Sequence, residues 1–537
     1  MRRTLIYGFL STCLSSAAAY AQDAQAQNSQ IQDANVAMPA KTFDLMEYAV
    51  DGNTVLPEIE IEKAVYPFLG PGRTGGDIEK ARAALEDAYK AHGFQTVQVV
   101  VPEQDMRDGT VHLQVSEGRV GRLRVVNSQY HAPSEIKADA PSMIEGTVPD
   151  FNQIQRDIVN LNQWPDRKVT PTLKAGIEPD TVDVDLQVED QLPLHASLEL
   201  NNQRSVGTTS LRAIGTASYD NLWQLGHSIS LTYQVAPQNP NDTQVFSGTY
   251  TWRVKDSPWS ILLDGVKTDS NVSTVGATDV VGKGGQIGVH ALLALPGTEK
   301  FNQSLTAAIY YKDFQNVTSL GSNSTDTPVT YFPITVSYAA TLQEDKAVDQ
   351  GTLALTFAFP PTGSSTTAFD NDRFSARGQQ FYVRGGLNRT QQLPGGLELY
   401  GHVDGQITDQ PLITNEQFSA GGYNSVRGYL EAEELGDIGA HGGVELRSPS
   451  IVDWLDLKDV DVDELRFILF AEGAHLWLNE PLAEQRSQFG LASVGAGASA
   501  KLLEHLNGAV DLAVPVLAAS STKAGSRQIL FRVWTEY

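Results

Sequence analysis

From about residue 194 to the C-terminus the chain alternates apolar with polar or small residues in segments of roughly ten, a period of two that marks strands with one apolar face. In HSISLTYQV (227–235), Ile229, Leu231, Tyr233 and Val235 fall on one face, and Ser228, Ser230, Thr232 and Gln234 on the other. LTAAIYY (305–311) and TLALTFAF (352–359) behave alike, and the terminal RQILFRVWTEY puts Ile529, Phe531, Val533 and Tyr537 on one face. Sixteen such segments are read, at about 194–203, 208–220, 226–236, 243–254, 258–268, 284–293, 303–314, 329–340, 351–360, 378–388, 396–407, 437–448, 464–476, 488–500, 506–515 and 527–537. An even number of short alternating strands with aromatics near their ends is the pattern of an outer-membrane β-barrel, and a soluble sandwich or a passive porin is the alternative. Beyond the first residues no stretch is apolar for the ~20 residues that a spanning helix needs, which excludes a helical membrane protein.

The N-terminus reads as an address. Arg2 and Arg3, an apolar run over 4–18 and Ala19-Tyr20-Ala21 predict a secretory signal peptide, 1–21. The single cysteine, Cys13, lies inside it after Thr12, not the Gly or Ala of a lipoprotein site, so the mature chain uses no disulfide. Residues 22–42, rich in Gln and Ala, predict a flexible linker. The net charge of −25 speaks against nucleic acid as a partner.

Two tandem copies of one order, β-α-α-β-β, follow at 43–118 and 119–190. In the first, GPGRTGG reads as a loop, Asp77 as the cap of a helix bearing Ile78, Ala81, Leu85 and Tyr89, and Val97–Val101 and Val111–Val115 as strands. In the second, Asp150 caps a helix with Phe151, Ile154, Ile158 and Leu161, and KVTPTLKA and TVDVDLQVED are strands.

Motifs for catalysis are weak. GATDVVGKGG lacks the spacing of a phosphate loop and has no Ser or Thr after Lys283; DVDVDE (459–464) lacks the glycine of a calcium loop and reads as a solvated turn. No enzyme activity, nucleotide, cofactor or metal is expected.

One stretch, SAGGYNSVRGYLEAEELGD (419–437), carries a resemblance. Phe418, Gly421-Gly422, Ser425, Val426-Arg427-Gly428-Tyr429, Gly436-Asp437 and Glu445 resemble the loop-6 pattern of the Omp85 superfamily, supported by YDNLWQLGHSISLTY and LASVGAGASAKL. With two preceding modules, the chain resembles the outer-membrane transporters of two-partner secretion (TpsB; ShlB/FhaC/HecB family). The resemblance implies two periplasmic POTRA domains (43–118, 119–190) and a transmembrane barrel of 16 antiparallel strands (194–537) with loop 6 at about 409–436. It also implies export of one large secreted partner (TpsA-like), bound extended at the POTRA strands, for example Val97 to Val101 and Val169 to Leu173, with lipid around the barrel. An outer-membrane protein assembly factor is the alternative; such factors carry three to five POTRA modules. In the family the loop-6 arginine meets an acid of an F-x-D motif on strand thirteen. Here RFILFAEGAHL aligns Glu472 after Phe470 and Ala471, so the implied inner-wall partner of Arg427 is Glu472, with Gly428 permitting close approach and Tyr429 stacking or hydrogen-bonding beside it. Some members begin with a plug helix; residues 22–42 are too short and polar to supply one.

Overall fold

The computed structural model describes residues 42–537 except 106–107, 163–165, 256, 270–271, 276–277, 282, 321–322, 453 and 456–460. The expected signal peptide, nearly all of the linker, any plug helix and Asp459 therefore lie outside the described residues. The chain forms two compact units, the first drawn mostly from residues before Glu189.

In the first unit, Glu47–Asp51 and Val97–Val100 flank Thr110–Glu117, parallel and antiparallel to it respectively. The helices Glu58–Val65 and Gly75–Ala91 bury Ile61, Val65, Ile78, Leu85 and Tyr89 against Val97, Val99, Val111 and Leu113. Two readings are corrected here. GPGRTGG is not only a loop: Gly70–Thr74 is a strand paired with Thr42–Leu45. Its partner is remote in sequence, and the Asp44 carboxylate accepts the Gly72 N–H (3.0 Å), so a segment that reads locally as turn is drawn out straight. The long helix is capped by Thr74, not Asp77; Asp77 returns the bond from the third helical position, accepting the Thr74 N–H at 3.1 Å in a capping box. The second copy repeats the sheet, Arg119–Val126 and Arg167–Ala175 flanking Thr181–Asp190, and Asp150 caps the helix Phe151–Leu161 through the Asn152 N–H (2.9 Å).

The second unit is a closed barrel of sixteen antiparallel strands. In chain order these are β1 Leu194–Asn201, β2 Arg212–Leu222, β3 His227–Val235, β4 Gln244–Arg253, β5 Trp259–Thr268, β6 Gly284–Leu295, β7 Phe301–Leu320, β8 Asn323–Gln343, β9 Ala347–Gly363, β10 Gln380–Gln392, β11 Glu398–Ile407, β12 Ile438–Arg447, β13 Val462–Trp477, β14 Gln488–Leu502, β15 Leu506–Pro515 and β16 Gln528–Glu536. Period two decides which face is which. Leu231, Tyr233, Leu353, Ile529 and Val533 point outward and stay exposed, while Gln234, Thr356, Glu472 and Asp511 point inward and are buried. The connections after even-numbered strands are mostly short and those after odd-numbered strands mostly long, the longest being 408–437 between β11 and β12. Two elements in the long connections escaped the sequence reading, a ladder of Val272–Val275 with Thr278–Val281 and a short helix Thr366–Asp372 capped by Ser365. Asp463 and Glu464 of DVDVDE belong to β13, so that turn ends earlier than expected.

Candidate functional site

The segment 408–437 folds back on itself. A three-residue ladder pairs Phe418 with Gly436 and Ala420 with Glu434, and beyond it the chain reverses. Gly421 (φ +108°) and Gly422 (φ +104°) take backbone angles that favour glycine, and Ser425 Oγ accepts the Gly421 N–H at 2.9 Å. Val426 is fully buried with Phe418, Leu476 and Leu491. Gly428 has φ +94°, and a Cβ there would stand 3.2 Å from Ala513 Cβ and Pro515 Cδ; the tip presses on β15.

Arg427, between those two residues, meets the wall. Its backbone N–H donates to Glu472 Oε2 (2.6 Å) and its Nε to Glu472 Oε1 (2.7 Å), so one carboxylate holds both main chain and fork. Phe470, two residues before Glu472 and on the same face of β13, lies beneath the guanidinium at 3.6 Å from ring centroid to Cζ. The wall supplies more acid than the resemblance implied. Glu445 of β12 contacts Nη2, and Asp511 of β15 accepts from Nη1 at 3.4 Å. Burial acts against the charge on Arg427, but Glu472, then Glu445 and Asp511, outweigh it and raise the guanidinium pKa. Glu445 is shared with Arg447 (2.6 Å), which also reaches Glu398 (2.9 Å). Room for Glu472 is made by Gly443, its neighbour across the ladder: a Cβ there would stand 2.7 Å from Glu472 Cγ.

Tyr429 does not stack on Arg427. Its hydroxyl donates to the Leu517 carbonyl (2.8 Å) and accepts the Ala492 N–H (3.1 Å), because Gly428 turns the chain and carries the ring toward β14. Further acids pin the rest of the segment. Asp437, without exposed surface, takes both arms of Arg373 (2.6 and 2.8 Å) and the backbone N–H groups of Leu412 and Asn479. Glu416 is held by Lys312 at 2.6 Å and by the Tyr331 and Tyr382 hydroxyls. Burial would push its pKa up, but Lys312 and Arg384 keep it below the usual carboxylate range. Glu433 accepts from the Thr522 hydroxyl and N–H (2.6 and 2.7 Å). Sequence reasoning singled out Asp437 as motif but missed Glu416, Glu433 and Asp511 as anchors. Lys312, Tyr331 and Tyr382, which hold Glu416, lie on β7, β8 and β10, Thr522 lies in the connection between β15 and β16, and Asp511 lies on β15; only the closed barrel brings these remote positions near 408–437.

The haemolysin secretion/activation protein ShlB/FhaC/HecB family profile matches residues 180–499, and the ShlB-type POTRA domain profile matches residues 43–118. The chain belongs to the ShlB/FhaC/HecB family. As a family member it is an outer-membrane protein, with its POTRA domain in the periplasm. Similar curated proteins include the outer membrane transporter CdiB of Dickeya dadantii (strain 3937), 21% identical over 476 residues, which are 83% of this chain and 78% of that one. A match to CdiB of Escherichia coli is 26% identical over 181 residues, 33% of this chain and 30% of that one. Among solved structures, CdiB from Escherichia coli aligns at TM-score 0.63 with 18% identity over 94% of this chain and 93% of that one. BamA from Haemophilus ducreyi lacking POTRA domains 1–3 aligns at 0.55 with 13% identity over 93% and 100%. At these identities the structural likenesses speak to the fold. The segment 408–437 is the one whose residues resemble the family's loop-6 pattern, and it is called loop 6 on that basis.

Proposed function

We propose that the protein exports one large partner protein across the outer membrane. The partner arrives extended in the periplasm, adds to POTRA sheet edges, and leaves through the lumen once loop 6 shifts. The observation that carries this reading is the Arg427 latch. A guanidinium shared by acids from β12, β13 and β15 holds loop 6 against the inner wall, and an ion-pair latch can be released without breaking a covalent bond. The two POTRA modules are taken as 43–118 and 119–190. The strands Val97–Val100 and Arg167–Ala175 support the docking step, since each stands at the edge of its sheet with another strand on one side only. Val97 and Val99 themselves are core, so main-chain groups would supply the affinity. Neither ATP nor another nucleotide drives the step in this reading; folding of the partner outside gives it direction.

Deletion of the gene, followed by mass spectrometry of secreted and outer-membrane proteins, tests this. Loss of one large secreted protein with other barrels unchanged is the expected result. A general fall in outer-membrane barrels with no single secreted protein missing would make the protein an assembly factor instead.

A further inference from the structure

We propose that the lumen wall beside the latch carries a second site, for a divalent first-row transition cation of the zinc class, formed by His402, Asp404 and His441. His402 and Asp404 are two residues apart on one face of β11, and Asp404 faces His441 of β12 across the ladder. Nδ1 of His402 lies 3.6 Å, and Nδ1 of His441 3.9 Å, from the same oxygen, Asp404 Oδ2. Those separations are too long for hydrogen bonds. Donors sharing a tetrahedral ion with bonds of about 2.0–2.1 Å stand roughly 3.3–3.4 Å apart, so a small rotation of the rings puts all three on one cation. His290 and Asp264, also on the inner face, differ: their polar atoms close directly on each other as a simple pair.

The three side chains are seated. Gly386, opposite Asp404, leaves the space its carboxylate fills; a Cβ there would stand 2.3 Å from Oδ1. Gly443, opposite His402, would put a Cβ 3.1 Å from its Nε2. Phe418, at the base of loop 6, stacks on the His441 ring at 5.2 Å and 19°. The imidazoles are mostly covered (13% and 12% exposed) while Asp404 is open (45%), so a fourth coordination position faces the lumen. There, His402 and Asp404 line a cavity of about 520 Å³ together with Arg427 and Glu472. Two imidazoles and one carboxylate suit zinc, nickel or copper; magnesium and calcium prefer oxygen. A bound ion would tie β11 to β12, the strands that loop 6 joins, and bear on the loop through Phe418.

The test uses full-length, detergent-purified protein without a polyhistidine tag, stripped with chelator. Titration with Zn²⁺ against a chromophoric chelator is expected to give one ion per chain. His402→Gln with His441→Gln should weaken binding by at least about 100-fold. His195→Gln should leave it unchanged; that residue sits in the other His–Asp cluster, with Asp166 and Asp220. Heat-modifiable mobility on gels confirms that each variant is a folded barrel. On the unaltered protein, electron paramagnetic resonance of added Cu²⁺ should show two coordinating nitrogens, an outcome that needs no variant. No stoichiometric binding, loss of binding on His195→Gln, or a copper spectrum with fewer than two nitrogens would overturn the proposal.

Discussion

Arg427 is met by three carboxylates, and that excess sets what its loss would do. Removing the guanidinium leaves Glu472, Glu445 and Asp511 facing one another without their common counter-charge, whereas removing one acid leaves two behind. Breaking a buried pair from one side costs about 3–5 kcal/mol, so Arg427→Ala should free loop 6 and stop export while the barrel still assembles. Glu472→Gln should be milder because Glu445 and Asp511 remain. Export and heat-modifiable mobility, measured side by side, separate the two variants; normal secretion by Arg427→Ala would refute the latch. Gly428→Val is a steric test of the same tip. It combines φ +94° with a Cβ 3.2 Å from Pro515 Cγ, and its expected signature is protease cleavage within loop 6 that the parent resists. At this scale much was legible. The pairing of Arg427 with Glu472 was implied by the family resemblance, through the acid two residues after Phe470 on strand thirteen, and not by periodicity alone. The shared role of Asp511 was not implied, because β15 reaches the latch only through the registers of β13 with β14 and β14 with β15.

Among the elements, strands declared themselves because their alternation is repeated sixteen times around one closed sheet. What stayed hidden was short or remote. Gly70–Thr74 has glycine and proline where a strand former is expected, and it is a strand only because Thr42–Leu45 lies alongside. The helix Thr366–Asp372 is too short to display a period, yet it ends at Arg373, which clamps Asp437 at the exit of loop 6. Arg373→Ala removes two charged hydrogen bonds worth roughly 1.5–3 kcal/mol each and leaves Asp437 only uncharged donors. The expected result is faster cleavage of 408–437 by protease added to whole cells, with the POTRA modules untouched; unchanged cleavage would mean that the clamp does not hold the loop.

For the whole molecule, the seam that closes the barrel is its shortest ladder, and an ion pair crosses it. The ladder of β16 with β1 runs from Arg532 opposite Asn201 to Glu536 opposite Ser197, Tyr537 with Ala196 and Asn202 with Phe531 extend it at its two ends, and Arg532 spans the seam to Glu199 with bonds of 3.0 and 2.8 Å. A transporter that passes its cargo through the lumen has no need to open this seam, whereas a factor that inserts other barrels would. Cysteines at the facing positions Leu200 and Val533, in a chain whose one natural cysteine is Cys13, should therefore oxidise to a locked barrel that still exports. Loss of export under oxidation, restored by reductant, would place the route through the seam.

The acid around Arg427 has an electrical consequence. With loop 6 in place its charge is partly cancelled; with the loop withdrawn, three carboxylates from β12, β13 and β15 line one wall of a conducting pore. Rings of acid favour cations. In a planar bilayer under a salt gradient, the Arg427→Ala barrel should show a reversal potential shifted toward that of potassium, and the parent a smaller shift. The group that fastens the loop would thus also conceal the selectivity of the open channel.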